Sequence, residues 1–255
     1  MSSYNGEFNN KHILIVGASG GIGSGISKKL AKEGARLTLM ARNTEKLEQL
    51  KDQIDGNDHH ICAADMNDTE SISAIIDDVV LKRGAVDGVV YCAGITKDRP
   101  LRQFKPSVVS EVMRVNLLSF IEIVRCCTGV GHYNEGLKIV GISSNAATIG
   151  ETAHTAYAAS KAGMDAAVRC IAKELSSKGI NVNTIQPGMI DTEMYHNFLK
   201  NHRDPDEANK ALLNRQYLGV GKPEDVAELT AFLLSSSSGF ITGTSIPVDG
   251  GSTSN

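Results

Sequence analysis

The chain is predicted to fold as a doubly wound parallel α/β sheet in one domain spanning residues 1–255. Short apolar runs of strand length alternate with helical stretches from one end to the other. The first run leads directly into a glycine-rich turn and a helix, and no linker, repeat or break in composition interrupts the alternation.

Composition narrows the possible functions. With 255 residues, 41% apolar and 22% charged, the chain has ample core and the balance of a soluble globular protein. The formal charge of −3 and the lack of a basic cluster give no support for nucleic-acid binding. No apolar run approaches membrane-spanning length, and Met-Ser-Ser-Tyr-Asn-Gly-Glu-Phe at the start carries no apolar signal region. The five cysteines are odd in number and without a C-x-x-C pair, so neither a disulfide framework nor a metal site is expected. The expected location is the cytoplasm.

Residues 1–10 are polar and read as a loose terminus. His12–Val16 is a buried strand, followed by Gly17-Ala-Ser19-Gly-Gly21-Ile22-Gly23 and a helix to about Glu33, with Gly34 as its cap. Strand, glycine turn and helix N-terminus make a dinucleotide site. The glycines let backbone approach a pyrophosphate, and the helix end presents free N–H groups to it. Arg36–Ala41 is the second strand. An NAD enzyme carries an acidic residue near the end of this strand, roughly 20 residues past the glycines. Here that place holds Ala41, then Arg42 and Asn43, and a cation there suits a 2′-phosphate.

Thr44–Ile54 is read as a helix and His59–Ala64 as the third strand, with His59 and His60 solvated. Asp65 and Met66 stand at its C-terminal edge, where Asn67 or Asp68 is expected to cap a helix running to about Arg83. Val86–Tyr91 is the fourth strand and ends in Cys92-Ala93-Gly94. Lys105 to about Gly129 is helical, with Asn116 in its middle and Cys126-Cys127 as packing residues. Leu137–Ile142 is the fifth strand and leads to Ser144. The stretch 156–178 is a helix bearing Tyr157 and Lys161, which lie four apart and therefore on one face, one turn from each other. A fixed ammonium beside a phenol is expected to draw the phenol pKa down from its ordinary value of about 10. His154 is expected in a loop at the cleft mouth. Ile180–Gln186 is the sixth strand, broken by Pro187-Gly188. Residues 192–218 are polar and irregular. Pro223–Ser235 is a helix and Thr244–Val248 the last strand.

Taken together, Gly17-x-x-x-Gly21-Ile22-Gly23, Asp65, Cys92-Ala93-Gly94, Asn116, Ser144, Tyr157-x-x-x-Lys161, Pro187-Gly188 with Thr192, and Asp249-Gly-Gly resemble the short-chain dehydrogenase/reductase family over almost the whole length. The resemblance implies a Rossmann fold with a seven-stranded parallel sheet, a nicotinamide cofactor, no metal, and a small-molecule carbonyl or secondary alcohol as substrate. It implies Tyr157 as acid/base, Ser144 as partner of the substrate oxygen, Lys161 on Tyr157 and the ribose, and Asn116 holding a relay water. It places the cofactor against Gly17, Ser19, Gly21, Ile22, Gly23, Arg42, Asn43, Asp65, Met66 and Cys92-Ala93-Gly94. Tyr157, Lys161, Pro187, Gly188, Ile190 and Thr192 complete that set. NADP(H) is the expected cofactor, with NAD(H) possible.

Two departures from the family pattern stand out. Val16 precedes the first glycine where a Thr is usual, and Tyr91-Cys92 stand where two asparagines are usual. Resemblance to 3-oxoacyl-carrier-protein reductases extends to the chain's length and regularity. The two basic positions that dock an acidic carrier correspond here to Glu135 and Lys178, and one has the wrong charge. Residues 192–218 are expected to cover the substrate. Small residues on the Tyr157 helix, from Ala158 to Ala167, point to close helix pairing and a homotetramer. A non-catalytic nucleotide sensor is the second reading, and NADPH consumption with a panel of ketones separates the two.

Overall fold

The computed structural model describes residues 6–201 and 203–254. Its strands are β1 (His12–Val16), β2 (Arg36–Ala41), β3 (His60–Ala63), β4 (Val86–Tyr91), β5 (Tyr133–Ile142), β6 (Asn181–Pro187) and β7 (Ser245–Val248). The helices are α1 (Gly21–Lys32), α2 (Thr44–Lys51), α3 (Ile72–Arg83), α4 (Pro106–Met113), α5 (Ser119–Cys127), α6 (Thr155–Leu175), α7 (Glu193–Lys200), α8 (Pro205–Leu213) and α9 (Pro223–Leu234). All seven strands are parallel in the order β3-β2-β1-β4-β5-β6-β7. The order reverses between β1 and β4. At such a switch point a crevice opens outside the C-terminal strand ends.

The two-residue period of β1 divides the core. Leu14 and Val16 face α3, α5 and α6, whereas Ile13 and Ile15 face α1, α2 and α9. Both faces are therefore covered, which is why the central strands read as unbroken apolar runs. Among the described residues no helix is long and apolar enough to cross a membrane.

The structure departs from the sequence reading in several places. Residues 1–5 of the expected loose terminus lie outside the described residues, but Phe8 is buried in the core and anchors the chain just ahead of β1. His59 is buried rather than solvated: its Nδ1 accepts from Leu37 N at 3.2 Å and its Nε2 lies 2.7 Å from the Asp55 carbonyl. Neither Asn67 nor Asp68 caps α3. The helix begins later, after Ser71, and the Asp65 carboxylate instead accepts from Asn67 N at 2.9 Å. The polar stretch 192–218 forms two helices, α7 and α8.

The long helix around Asn116 is interrupted by a π-helical turn over Arg114–Leu118. That turn frees the Val115 carbonyl from the regular ladder. The Tyr91 hydroxyl donates to this carbonyl at 2.5 Å, and the Tyr91 ring packs edge-on to Phe120 with centroids 5.5 Å apart. The residue that departs from the family pattern thus replaces lost amide hydrogen bonds with one of its own and fills the core.

Candidate active site

The glycine turn after β1 is built for close approach. Gly17 has φ +86°, and a Cβ there would stand 2.5 Å from the Ala93 backbone nitrogen. A Cβ on Gly21 would stand 2.5 Å from the Thr192 methyl carbon, so the turn is also the seat of Thr192. Beyond it lies a cleft of about 480 Å³ over the C-terminal ends of β1, β2, β3 and β4. Of the expected cofactor residues, Gly17, Ser19, Arg42, Asn43, Asp65, Met66, Cys92, Ala93 and Gly94 line it. Gly21, Ile22 and Gly23 form the first turn of α1 below it, while Tyr157, Lys161, Pro187, Gly188, Ile190 and Thr192 lie outside its lining.

Three charged residues in this cleft, Lys46, Glu111 and Glu193, escape the sequence reading. Lys46 lines it beside Arg42, and Glu193 at the start of α7 reaches Lys46 at 3.5 Å. Lys46 sits in the first turn of α2, where a cation opposes the helix dipole. A charge placed against local preference is the one signal that marks it in the sequence. Asn43 has a second duty, since its side chain caps α2 by accepting from Lys46 N at 2.9 Å.

The chain's own chemistry lies where the cleft continues past Gly94. A Cβ on Gly94 would meet Lys161 Nζ at 3.4 Å and Asn116 Oδ1 at 3.5 Å. The Asn116 amide is fully engaged: Oδ1 accepts from Ile95 N at 2.8 Å, and Nδ2 donates to Ile95 O at 3.0 Å and to Ser160 Oγ at 2.9 Å. Ser160 in turn donates to the Tyr157 carbonyl at 2.7 Å. This chain of bonds pins the π turn to α6 and fixes the backbone that floors the cleft.

Lys161 is 3% exposed and donates to the Ile142 carbonyl at 2.7 Å, with its ammonium 5.8 Å from the centre of the Tyr157 ring. Burial draws its pKa down to about 8, against weaker upward pulls from Cys92 and Asp165. Burial pushes the Tyr157 phenol up. The Ser144 hydroxyl opposes that shift, and the carboxylates of Asp98 and Glu151 add to it. The expected lowering of the phenol by its lysine neighbour is therefore reversed in the cofactor-free protein: desolvation dominates. Ser144 Oγ accepts from Ala146 N at 3.1 Å and donates to Asn145 Oδ1 at 3.3 Å, and Ser252 Oγ accepts from Asn145 Nδ2 at 2.8 Å.

The segment between β6 and α9 is rooted at both feet. Gln216, 3% exposed, accepts from Met189 N at 2.8 Å and donates to Met189 O at 2.9 Å and to Gly219 O at 2.5 Å. A bridge between Ile190 and Gly221 closes the same base.

A family model described as Enoyl-(Acyl carrier protein) reductase matches residues 17–253. The chain belongs to the short-chain dehydrogenase/reductase family. A 3-oxoacyl-[acyl-carrier-protein] reductase of Thermotoga maritima is 34% identical over 94% of this chain and 97% of its own length. An L-xylulose reductase of Caenorhabditis elegans is 32% identical over 98% and 99%. A dehydrogenase/reductase of Sinorhizobium meliloti superposes with a TM-score of 0.89 at 32% identity, covering 99% of this chain and 98% of that one. This short-chain dehydrogenase/reductase is accordingly an NAD(P)-dependent oxidoreductase acting on a carbonyl/alcohol pair.

The residues present fit a nicotinamide dinucleotide. Gly17 lets the glycine turn pack directly on the Ala93 backbone, the first turn of α1 presents N–H groups suited to a pyrophosphate, and Arg42 and Lys46 supply cations in the cleft. Among the described residues no cluster suits a metal ion.

Proposed function

We propose that this protein is an NADP(H)-dependent reductase of a small carbonyl compound, with Tyr157 as proton donor. The observation that carries the proposal is the meeting of Tyr157, Lys161 and Ser144, with Lys161 packed behind Gly94 in the wall of a cleft that also holds Arg42. The bound cofactor supplies hydride to the carbonyl carbon. Tyr157 gives its proton to the oxygen. Ser144 donates a hydrogen bond to the same oxygen once its hydroxyl turns from Asn145. Lys161, buried between Tyr157 and the Ile142 carbonyl, places a positive charge where the phenolate forms. Asn116 holds this arrangement through Ile95 and Ser160. The helices α7 and α8 cover the substrate, and Pro187, Gly188, Ile190 and Thr192 complete the cofactor site. NADPH oxidation with a panel of ketones tests the reading, and no consumption with any carbonyl compound refutes it. A cytoplasmic location, where thiols stay reduced, suits the five free cysteines.

The cofactor preference rests on charge. Arg42 and Lys46 flank the end of β2, Ala41 stands where an NAD enzyme carries its acidic residue, and Lys46 is the cation shared with Glu193. Arg42→Ala is expected to lower the NADPH-to-NADH ratio of kcat/KM by roughly 10- to 100-fold, the value of a hydrogen bond to a charged group. A parent enzyme equally efficient with NADH refutes the preference.

A homotetramer is also part of the proposal. Val109, Leu118 and Ile121 on the α4–α5 side are 36%, 49% and 39% exposed, and Ala159 and Ala166 on α6 are exposed as well. This face is apolar and small enough in relief for a twofold mate to pack closely. Gly163 has a different use: a Cβ there would meet Leu117 at 2.8 Å within the same subunit. Sedimentation at micromolar protein should show a species near four times 27.2 kDa. A single 27.2 kDa species overturns the assembly.

A further inference from the structure

Beside Tyr157 stands a second cluster of ionisable groups that the proton-transfer chemistry does not use. Asp98 comes from the loop after β4, Glu151 and His154 from the loop before α6, and Arg215 from just beyond α8. His154 Nε2 lies 3.3 Å from Asp98 Oδ1, and its Nδ1 lies 3.6 Å from Glu151 Oε2. Arg215 reaches the other Glu151 oxygen at 3.5 Å. The imidazole stands edge-on to the Tyr157 ring, centroids 6.2 Å apart. Three segments far apart in sequence therefore converge on one rim of the reacting centre.

The rim is held in place from outside. The Thr96 hydroxyl donates to Asp98. Ala153, immediately before His154, has φ +68°, a left-handed conformation that alanine adopts only where its surroundings enforce it. Its carbonyl accepts from Arg99 N at 3.0 Å, tying the two loops together. The effect is to aim the His154 ring across the mouth. The side chains of His154, Asp98 and Glu151 remain 17%, 36% and 30% exposed, so they are held firmly yet open to a ligand.

We infer that this rim recognises the substrate, and that it selects a small, uncharged, polyhydroxylated carbonyl compound over an acyl chain or a simple ketone. The inference rests on the reading of Tyr157 as proton donor. Two carboxylates already face one guanidinium and one imidazole. An anionic ligand has to take Arg215 from Glu151 while facing Asp98, and a cationic one has to displace His154 or Arg215. A hydroxyl group both donates and accepts, so it bonds to carboxylate lone pairs and to N–H groups without unpairing any of them. An apolar chain laid on the rim strips water from four ionisable groups and returns no hydrogen bond. Discrimination of this kind is strong because the penalty falls on the ligand that lacks the hydroxyls.

The test compares kcat/KM with NADPH for a ketopentose, for 2-pentanone and for an acetoacetyl thioester, in the parent, Asp98→Asn and His154→Gln. The ketopentose should exceed 2-pentanone by roughly 10²-fold or more. Each substitution should cut that ratio by at least about tenfold. Thermal denaturation of each variant separates a folding failure from a loss of selectivity. A parent preferring 2-pentanone or the thioester, or ratios unchanged in both folded variants, overturns the inference. A parent that reduces other ketones but none of these three sinks the substrate assignment alone. One that binds NADPH yet reduces no carbonyl compound sinks the proton-donor reading with it.

Discussion

Tyr157→Phe is expected to reduce turnover by roughly 10²- to 10⁴-fold, the usual contribution of one positioned acid. The substitution deletes a single hydroxyl. The ring stays, with its edge contact to His154 and the Ser160 bond to its backbone carbonyl. Asn116, Gly94 and the glycine turn are untouched, so NADPH affinity should survive, and fluorescence titration of NADPH measures it. Loss of turnover with retained binding isolates the proton transfer. Near-parental turnover would remove Tyr157 from the chemistry, and lost binding would reassign it to holding the cofactor.

Lys161→Met should produce an inactive enzyme that is more stable than its parent when free of cofactor. The cause is proton linkage. Lys161 titrates near 8 in the folded chain, against an ordinary value of 10.5. Between these two values the unfolded chain holds a proton that the folded chain has released, so this group makes stability rise with pH across that window. Below about 8 both states are protonated, and the full cost of burying the charge is present, on the order of 3 kcal/mol. Above 10.5 the cost is gone. Methionine removes it at every pH but leaves the Ile142 carbonyl without its donor, which gives back about 1 kcal/mol. The net gain near pH 7 should raise the melting temperature by several degrees, at about 2–4 °C per kcal/mol for a chain of this size. Cys92, pushed by burial up to about 12, gives an opposing slope at high pH, so the informative quantity is the variant-minus-parent difference. That difference should be positive at pH 7 and shrink towards pH 10. A variant less stable than the parent at pH 7, or a constant difference, contradicts the buried-charge account.

The parts of the fold that are legible in the sequence share one physical trait. Strands β1, β2 and β4 end where the sequence places them, because they are largely buried and their C-terminal halves are apolar runs. Strand β5 begins at Tyr133, earlier than expected, since Tyr133 pairs with Val86 ahead of a register shift and the three residues after it, Asn134 to Gly136, are exposed and polar. The helices α7 and α8 escape the sequence reading for a related reason. Both are short, eight and nine residues, and polar on average, and although amphipathic they put only Tyr195 of α7 into the core, so they read as an irregular polar stretch.

At the site, spacing alone places Tyr157 and Lys161 together. It does not give the direction of their pKa shifts, which depends on how completely the fold shuts out water. Residues whose importance comes from hydrogen bonding in three dimensions are likewise invisible. Buried His59 and the clamp at Gln216 have no local pattern to betray them.

The Gln216 clamp gathers both ends of the segment carrying α7 and α8 at one place. Both feet meet at one buried amide and one bridge, Ile190 to Gly221, so the stretch between them enters and leaves the body of the protein through a single doorway. A replacement of α7 and α8 that keeps Ile190, Gln216 and Gly221 keeps these closing bonds and loses the Glu193 contact to Lys46. In mechanical terms the segment is hinged at its root, so strain within α7 or α8 reaches the sheet through Gln216 and the Ile190–Gly221 bridge.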